Sequence, residues 1–329
     1  MLLRIFKSIQ PSIIFLIFIM TVGIWLNTFL NPGNSNFYFN EHPMPLYGVL
    51  TNLISPVSIL GTLITMIIWV IHGFLLVRLN TKFLFISERT YLPAAIFILF
   101  GCLIADLQSL NPVIISSIFL LLAIEGLIDS YRNTNISFSS FDAGLLIGTG
   151  TLFYLNLGFF LFLVWIGLLI LRPVNWREWV VPILGFCTPV FLTAAIYYLL
   201  NGDLSLFIGI IQDNLVPVKY DITQFHYYFL GYLALIVAFA SFQIIRDRIT
   251  KKIKSRKIFY ILWWIFSISV IVFFFVPWAS FEMIVFGFIP LSFLLTNYFI
   301  NIRVKWFGEL SFFLFAGGLI FILIADKII

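Results

Sequence analysis

Residues 57–77 read VSILGTLITMIIWVIHGFLLV, a run of 21 residues without Asp, Glu, Lys or Arg, closed by Arg78 and Lys82. As an α-helix this run extends about 31 Å at 1.5 Å per residue, enough to cross the roughly 30 Å hydrocarbon core of a bilayer. The same pattern recurs on both sides of it. Apolar runs at 9–30, 90–107, 112–129, 142–156, 158–171, 179–200, 226–245, 258–277, 283–300 and 308–325 are separated by short polar breaks. The spacing predicts an all-α polytopic transmembrane helical bundle of about 11 spans, at a span and a loop per roughly 30 residues. No polar break approaches the ~50 residues that an independent soluble domain requires, so 1–329 is expected to form a single integral membrane domain. Composition agrees: 62% of the 329 residues are hydrophobic and 10% are charged, against about 25% charged in soluble domains.

Charge placement sets the expected orientation. Arg4 and Lys7, then Arg78, Lys82 and Arg89, Arg132, Arg172 and Arg177, the seven basic residues between Arg246 and Lys257, and Arg303 and Lys305 all fall on alternate breaks, which leaves only Lys219 and Lys327 on the others. Basic residues near span ends are retained in the cytoplasm, so the N-terminus is expected inside. The excess charge of +5 then belongs to the cytoplasmic face, which argues against a nucleic-acid site and makes the lipid bilayer the first partner. The basic cytoplasmic loop 246–257 reads as the topological anchor, with a secondary attraction for anionic headgroups. External loops are expected at 31–56 and 203–225. Within them Tyr47–Ser55 and the mixed apolar stretch from Leu204 to Leu215 suit the membrane interface. The first run, 9–30, is too long for a signal peptide and passes into Asn31-Pro32-Gly33 with no small-residue cleavage pattern. It reads as an uncleaved span.

Ionisable groups inside spans are few. Asp142, opening the run at 142–156, reads as a cap on free helix N–H groups. Glu125, four residues before Asp129 and on the same face, reads as a polar contact between helices, and His72 as a hydrogen-bonded structural residue. His42, His72 and His226 are scattered, so no metal site and no cofactor is predicted, and a four-histidine iron centre cannot be assembled. Gly144, Gly148 and Gly150 match no phosphate-binding loop and suit close helix packing. Cys102 and Cys187, both in apolar runs, read as small hydrophobes. The chemistry-bearing candidates are external: Glu41 as a carboxylate able to deprotonate a hydroxyl, Lys219 as a cation able to meet a phosphate, and His42, Asp221 and His226 as substrate contacts.

At Phe141-Asp142-Ala143-Gly144-Leu145-Leu146-Ile147-Gly148 and Arg172-Pro173-Val174-Asn175-Trp176-Arg177-Glu178-Trp179 the chain resembles an uncharacterised family of bacterial inner-membrane proteins, which implies a multi-pass location in that membrane. The order of an inside start, a first external loop with one carboxylate, short hairpins, an Ala143-Gly144-x-x-x-Gly148 span and a basic internal turn is more distantly similar to the membrane domains of GT-C glycosyltransferases. That likeness implies transfer or processing of a glycan on a polyprenyl carrier at the external face, with Glu41 in the catalytic position. The sequence departs from that group in lacking a large external domain and external arginines. The departure fits equally a non-catalytic membrane scaffold or assembly factor that binds other membrane proteins.

Overall fold

The computed structural model describes residues 2–7, 10, 12–30, 43–56, 58–101, 105–130, 136–171, 176–217, 227, 230–238, 241, 252–302 and 305–328. All regular structure among them is helical. A short α1 (Leu2–Lys7) precedes α2 (Ser12–Leu30), α3 (Pro45–Leu53), α4 (Ile59–Phe83) and α5 (Leu92–Phe100). Then come α6 (Pro112–Asp129), α7 (Ile136–Thr151), α8 (Leu161–Leu171), α9 (Trp176–Asn201) and α10 (Ser205–Asp213). After a helical segment at 230–238 the chain forms α11 (Ile253–Phe275), α12 (Ile284–Asn301) and α13 (Lys305–Ile328). Five helical stretches are long and apolar enough to cross a membrane: Ile59–Phe83, Pro112–Asp129, Glu178–Asn201, Ile253–Phe275 and Phe281–Asn301. Shorter apolar helices at Ser12–Leu26, Leu155–Leu171 and Trp306–Phe321 accompany them.

Local sequence sets the helix boundaries. Ser58 caps α4 by accepting from the Gly61 amide at 3.0 Å, and the helix closes with Leu84 in the left-handed region at φ 48°. The chain is then folded back by Asn80, whose amide donates to Glu88 O at 3.0 Å and accepts from Ile86 N at 3.2 Å. α6 opens on Asn111, which accepts from Val113 N at 2.8 Å, with Pro112 in the first turn where no N–H is needed.

Consecutive helices alternate between two poles. At one, Lys82 at the end of α4 meets Glu125 and Asp129 at the end of α6. There too Lys257 in the first turns of α11 donates to Leu171 O at 2.9 Å, and Leu3 N in α1 donates to Glu309 in α13 at 3.1 Å. Lys7, its ammonium pushed below its usual range by burial and drawn back up by Glu88 and Glu309, donates to Ile300 O at 3.4 Å. Lys254 lies 5.0 Å from the Phe83 ring centre at the same basic pole. The opposite pole gathers Thr28, Tyr47, Gln108, Leu110, Leu152, Tyr154 and Ser280 through the contacts described below. α12 is the central helix and α9 the peripheral one: 89% of the apolar stretch within Phe281–Asn301 is buried but only 11% of that within Glu178–Asn201.

α7 and α9 approach backbone to backbone. A Cβ on Gly144 would stand 2.2 Å from Pro182 O, one on Gly148 2.4 Å from Phe186 O, and one on Gly185 2.2 Å from Phe141 O. The Gly144-x-x-x-Gly148 spacing therefore does what small residues do between membrane helices, letting carbonyls lie on glycine Cα atoms.

Three sequence expectations are revised. α7 starts at Ile136, so Asp142 lies in its second turn, exposed, and does not cap it. The expected span 90–107 is broken: α5 stops at Phe100, Gly101 turns against the Trp25 indole, which a Cβ would meet at 2.8 Å, and a short 3-10 turn follows at Ala105–Gln108. All nine residues of α5 and Gly101 are buried, so the end of the helix is enclosed by protein, the condition under which irregular backbone is tolerated at depth. Third, α11 takes up the end of the expected 246–257 loop: Ile253 to Lys257 are helical, and 246–251 lie outside the described residues.

Candidate functional site

Glu41, His42, Lys219, Asp221 and His226 all lie outside the described residues. The structure does describe the ground on which the loop carrying Glu41 and His42 lands. Pro43 and Met44 lead into α3, a nine-residue helix with Val49 and Leu53 exposed at 60% and 78% and Tyr47 fully buried. α3 is pinned by Leu46 N, which donates to Leu152 O at 3.1 Å, and by the Tyr47 hydroxyl, which donates to Leu110 O at 3.1 Å. Burial, and after it the charge of Glu282, holds the Tyr47 phenol above its ordinary range. Tyr47 is therefore a neutral donor.

Beside it lies a polar network that joins residues more than 100 positions apart. Tyr154 Oη accepts from Ser280 N at 3.1 Å and from Asn156 Nδ2 at 2.9 Å, and pairs with Ser280 Oγ at 3.0 Å. Asn156 Nδ2 also donates to Trp278 O at 3.3 Å. Tyr154, Asn156 and Ser280 are 3%, 2% and 3% exposed. Glu282 follows two residues later, in a 3-10 turn (Phe281–Met283) that leads into α12. It is half-buried, and its charge acts on both Tyr154 and Tyr47.

A second polar group at this pole surrounds the break after α5. Thr28 Oγ1 donates to Gln108 Oε1, Gln108 Nε2 donates to Gly101 O at 3.4 Å, and Trp69 Nε1 donates to Leu107 O at 3.3 Å. These bonds satisfy carbonyls that the interrupted helix leaves open. Trp25 Nε1 and Asn111 Nδ2 are buried there without a partner.

The opposite, basic pole carries the clearest ion pairs. Glu125, its side chain 11% exposed, takes Lys82 at 2.9 Å and Arg78 at 3.3 Å, and Lys82 also reaches Asp129. The carboxylates four residues apart on α6 thus clasp α4, the inter-helix contact expected of Glu125. His72 is fully buried, stacked on Phe97 at 5.2 Å, with Nδ1 3.1 Å from Ile68 O and Nε2 2.8 Å from Ser117 Oγ. Ile68 O only accepts, so Nδ1 donates to it, and Ser117 Oγ lies also 2.7 Å from Ile114 O, which ties the ring into α6 in a structural role.

Sequence reading overlooked Glu282. It stands in a short turn between two apolar runs, and its signal was Ser280-Phe281-Glu282 after Pro277, a hydroxyl followed by an acid at a helix start. Among the described residues no three of His, Cys, Asp and Glu gather as metal ligands. Among the described residues, the pole of Tyr47, Tyr154 and Ser280 offers phenol and hydroxyl donors, an amide oxygen and the carboxylate of Glu282. No protein family, curated protein or solved structure matches this chain.

Proposed function

We propose that the chain crosses the bacterial inner membrane eleven times from a cytoplasmic N-terminus, and that its external pole transfers or processes a glycan carried on a polyprenyl lipid, in the manner of a divergent GT-C-like enzyme. In this reading Glu41 is the base that takes the acceptor hydroxyl proton. Lys219 meets the carrier phosphate, and His42, Asp221 and His226 bind substrate. The observation that carries it is the seating of α3: the two residues after His42 enter a helix locked by Tyr47 and Leu46 onto a pole rich in neutral donors and acceptors. The pairing of described basic side chains at the other pole supports the orientation, because cations concentrate on the cytoplasmic side.

Complementation of a deletion strain tests the mechanism. Glu41→Gln should abolish function at normal abundance, since the amide keeps the shape but accepts no proton at neutral pH, and Lys219→Ala should weaken it. Full complementation by Glu41→Gln, with damage instead from charge reversal within 246–257, would remove the enzymatic reading and leave the scaffold.

A further inference from the structure

We propose that α3 is an interfacial helix: it lies flat at the pole of Tyr47 and beds the edge formed by Val49 and Leu53 in the lipid of that leaflet, at the boundary between headgroups and acyl chains. The inference rests on membrane location alone and holds whether or not Glu41 is catalytic.

One residue sets the lie of the helix. Leu110, in the turn before α6, holds α3 near both ends: its carbonyl accepts from the Tyr47 hydroxyl at 3.1 Å, and its amide donates to Pro56 O at 3.4 Å. Tyr47 is in the first turn of α3 and Pro56 lies just past the last. A crossing helix carries its ends to opposite levels, whereas these two ends stay at the level of one buried turn. Leu46 N, donating to Leu152 O at 3.1 Å, fixes the start to the end of α7 as well. The exit is as tight: Ser58 N and Oγ both donate to Ser55 O, at 3.1 Å and 2.6 Å, and a Cβ on Gly61 of α4 would stand 2.7 Å from that same oxygen. Nine residues make a helix ~14 Å long, under half of the ~30 Å hydrocarbon core.

The surface of α3 divides by side chain. At 3.6 residues per turn, Val49 and Leu53 share one edge, 60% and 78% exposed, with half-exposed Leu46 and Leu50 beside them and Tyr47 fully buried against protein. Gly48, Thr51 and exposed Asn52 make up the other arc, and no residue of α3 is charged. After the turn, the membrane-length α4 opens with Ile59 and Leu60, 60% and 65% exposed. The chain thus passes from the apolar edge of α3 directly to the lipid-facing start of a span.

These features name the occupant. An amphipathic helix at the interface buries its apolar face about 5–10 Å into the boundary of headgroups and acyl chains and leaves its polar face in water. Water would leave Val49 and Leu53 uncovered, and a protein partner of standard size needs about 800 Å² on each side, far more than one edge of a nine-residue helix provides. With no charge on α3 the attachment is apolar, so salt should not weaken it. Because α3 is bonded to the turns before α6 and after α7, bedding it holds the Tyr47 pole at headgroup depth.

The test uses the full-length chain with Cys102→Ser and Cys187→Ser, in phosphatidylcholine nanodiscs, with a nitroxide at Val49→Cys, Asn52→Cys or Leu53→Cys. Power-saturation EPR compares collisions with oxygen, which concentrates among acyl chains, and with a nickel chelate, which stays in water. At 49 and 53 oxygen access should exceed nickel access several-fold, at 52 the ratio should invert, and high salt should change neither. Nickel access at 53 equal to that at 52 means that the edge faces water. Exclusion of both probes from 49 and 53 means that protein, a second copy included, covers it. Either result overturns the proposal. The wild-type chain provides a check free of substitution: a phosphatidylcholine carrying a diazirine near its ester end should crosslink to Val49 or Leu53 and not to Asn52. Absence of crosslinks to α3 overturns the proposal even where a labelled variant fails to fold.

Discussion

Gly144→Ala places a methyl group 2.2 Å from the Pro182 carbonyl oxygen. A comfortable carbon-to-oxygen approach is about 3.3–3.6 Å, so α7 and α9 must part by ~1 Å at that point. The obstacle is backbone, which has no rotamer to escape into. Gly148 and Gly185 make the same close approach, where an added Cβ would stand 2.4 Å and 2.2 Å from Phe186 O and Phe141 O, so the parting loosens all three contacts together. Overpacking of this kind costs about 1–3 kcal/mol, and the upper end applies where nothing can yield. Alanine returns up to about 1 kcal/mol of helix propensity, for a net loss of about 2 kcal/mol. Gly126→Ala is the matched control, because a Cβ there has nothing within 4 Å and should gain about 0.5–1 kcal/mol. The two variants should differ by about 3 kcal/mol, roughly a hundredfold in the folded-to-unfolded ratio. Unfolding by SDS titration in mixed micelles, followed by tryptophan fluorescence, measures the gap. A Gly144→Ala protein as stable as Gly126→Ala would refute the claim that α9 is held by backbone contact.

Two further outcomes follow from the poles. Tyr154→Phe leaves Ser280 N and Asn156 Nδ2 without their shared acceptor and should cost about 2 kcal/mol in the same titration; a change below about 0.5 kcal/mol would mean that water replaces the phenol. A reporter fused after Ile329 should behave as external and one within Thr250–Ser255 as cytoplasmic, if eleven crossings start inside; an external signal at the latter would overturn the orientation.

What the sequence revealed and what it hid divide along physical lines. The runs at 57–77 and 112–129 were legible because length and apolarity are local properties, and α4 and α6 fill them. The Gly144-x-x-x-Gly148 packing role was legible because small residues four apart share a helix face. The start of α7 was not: Ser139, Ser140 and Asp142 look like an N-terminal cap, yet the helix begins at Ile136, and its packing on α9 and α6 is a property of the fold. The end of α5 was hidden too, since Gly101 stops the helix beside Trp25, a partner 76 positions earlier in the chain. Glu282 escaped for the same reason, because its meaning depends on Tyr154 and Tyr47, which only the fold brings near.

The enclosure of α5 has a consequence for biosynthesis. Every residue from Leu92 to Phe100 is buried, and one wall of that enclosure is α12, where Phe288 stacks on Phe100 at 4.5 Å. α12 leaves the ribosome about 180 residues after α5, a delay of ~10–40 s at roughly 5–20 residues per second. Through that interval α5 lacks one side of its shelter. The nascent chain must therefore cover Leu92–Phe100 by other means until Ile284–Asn301 arrives.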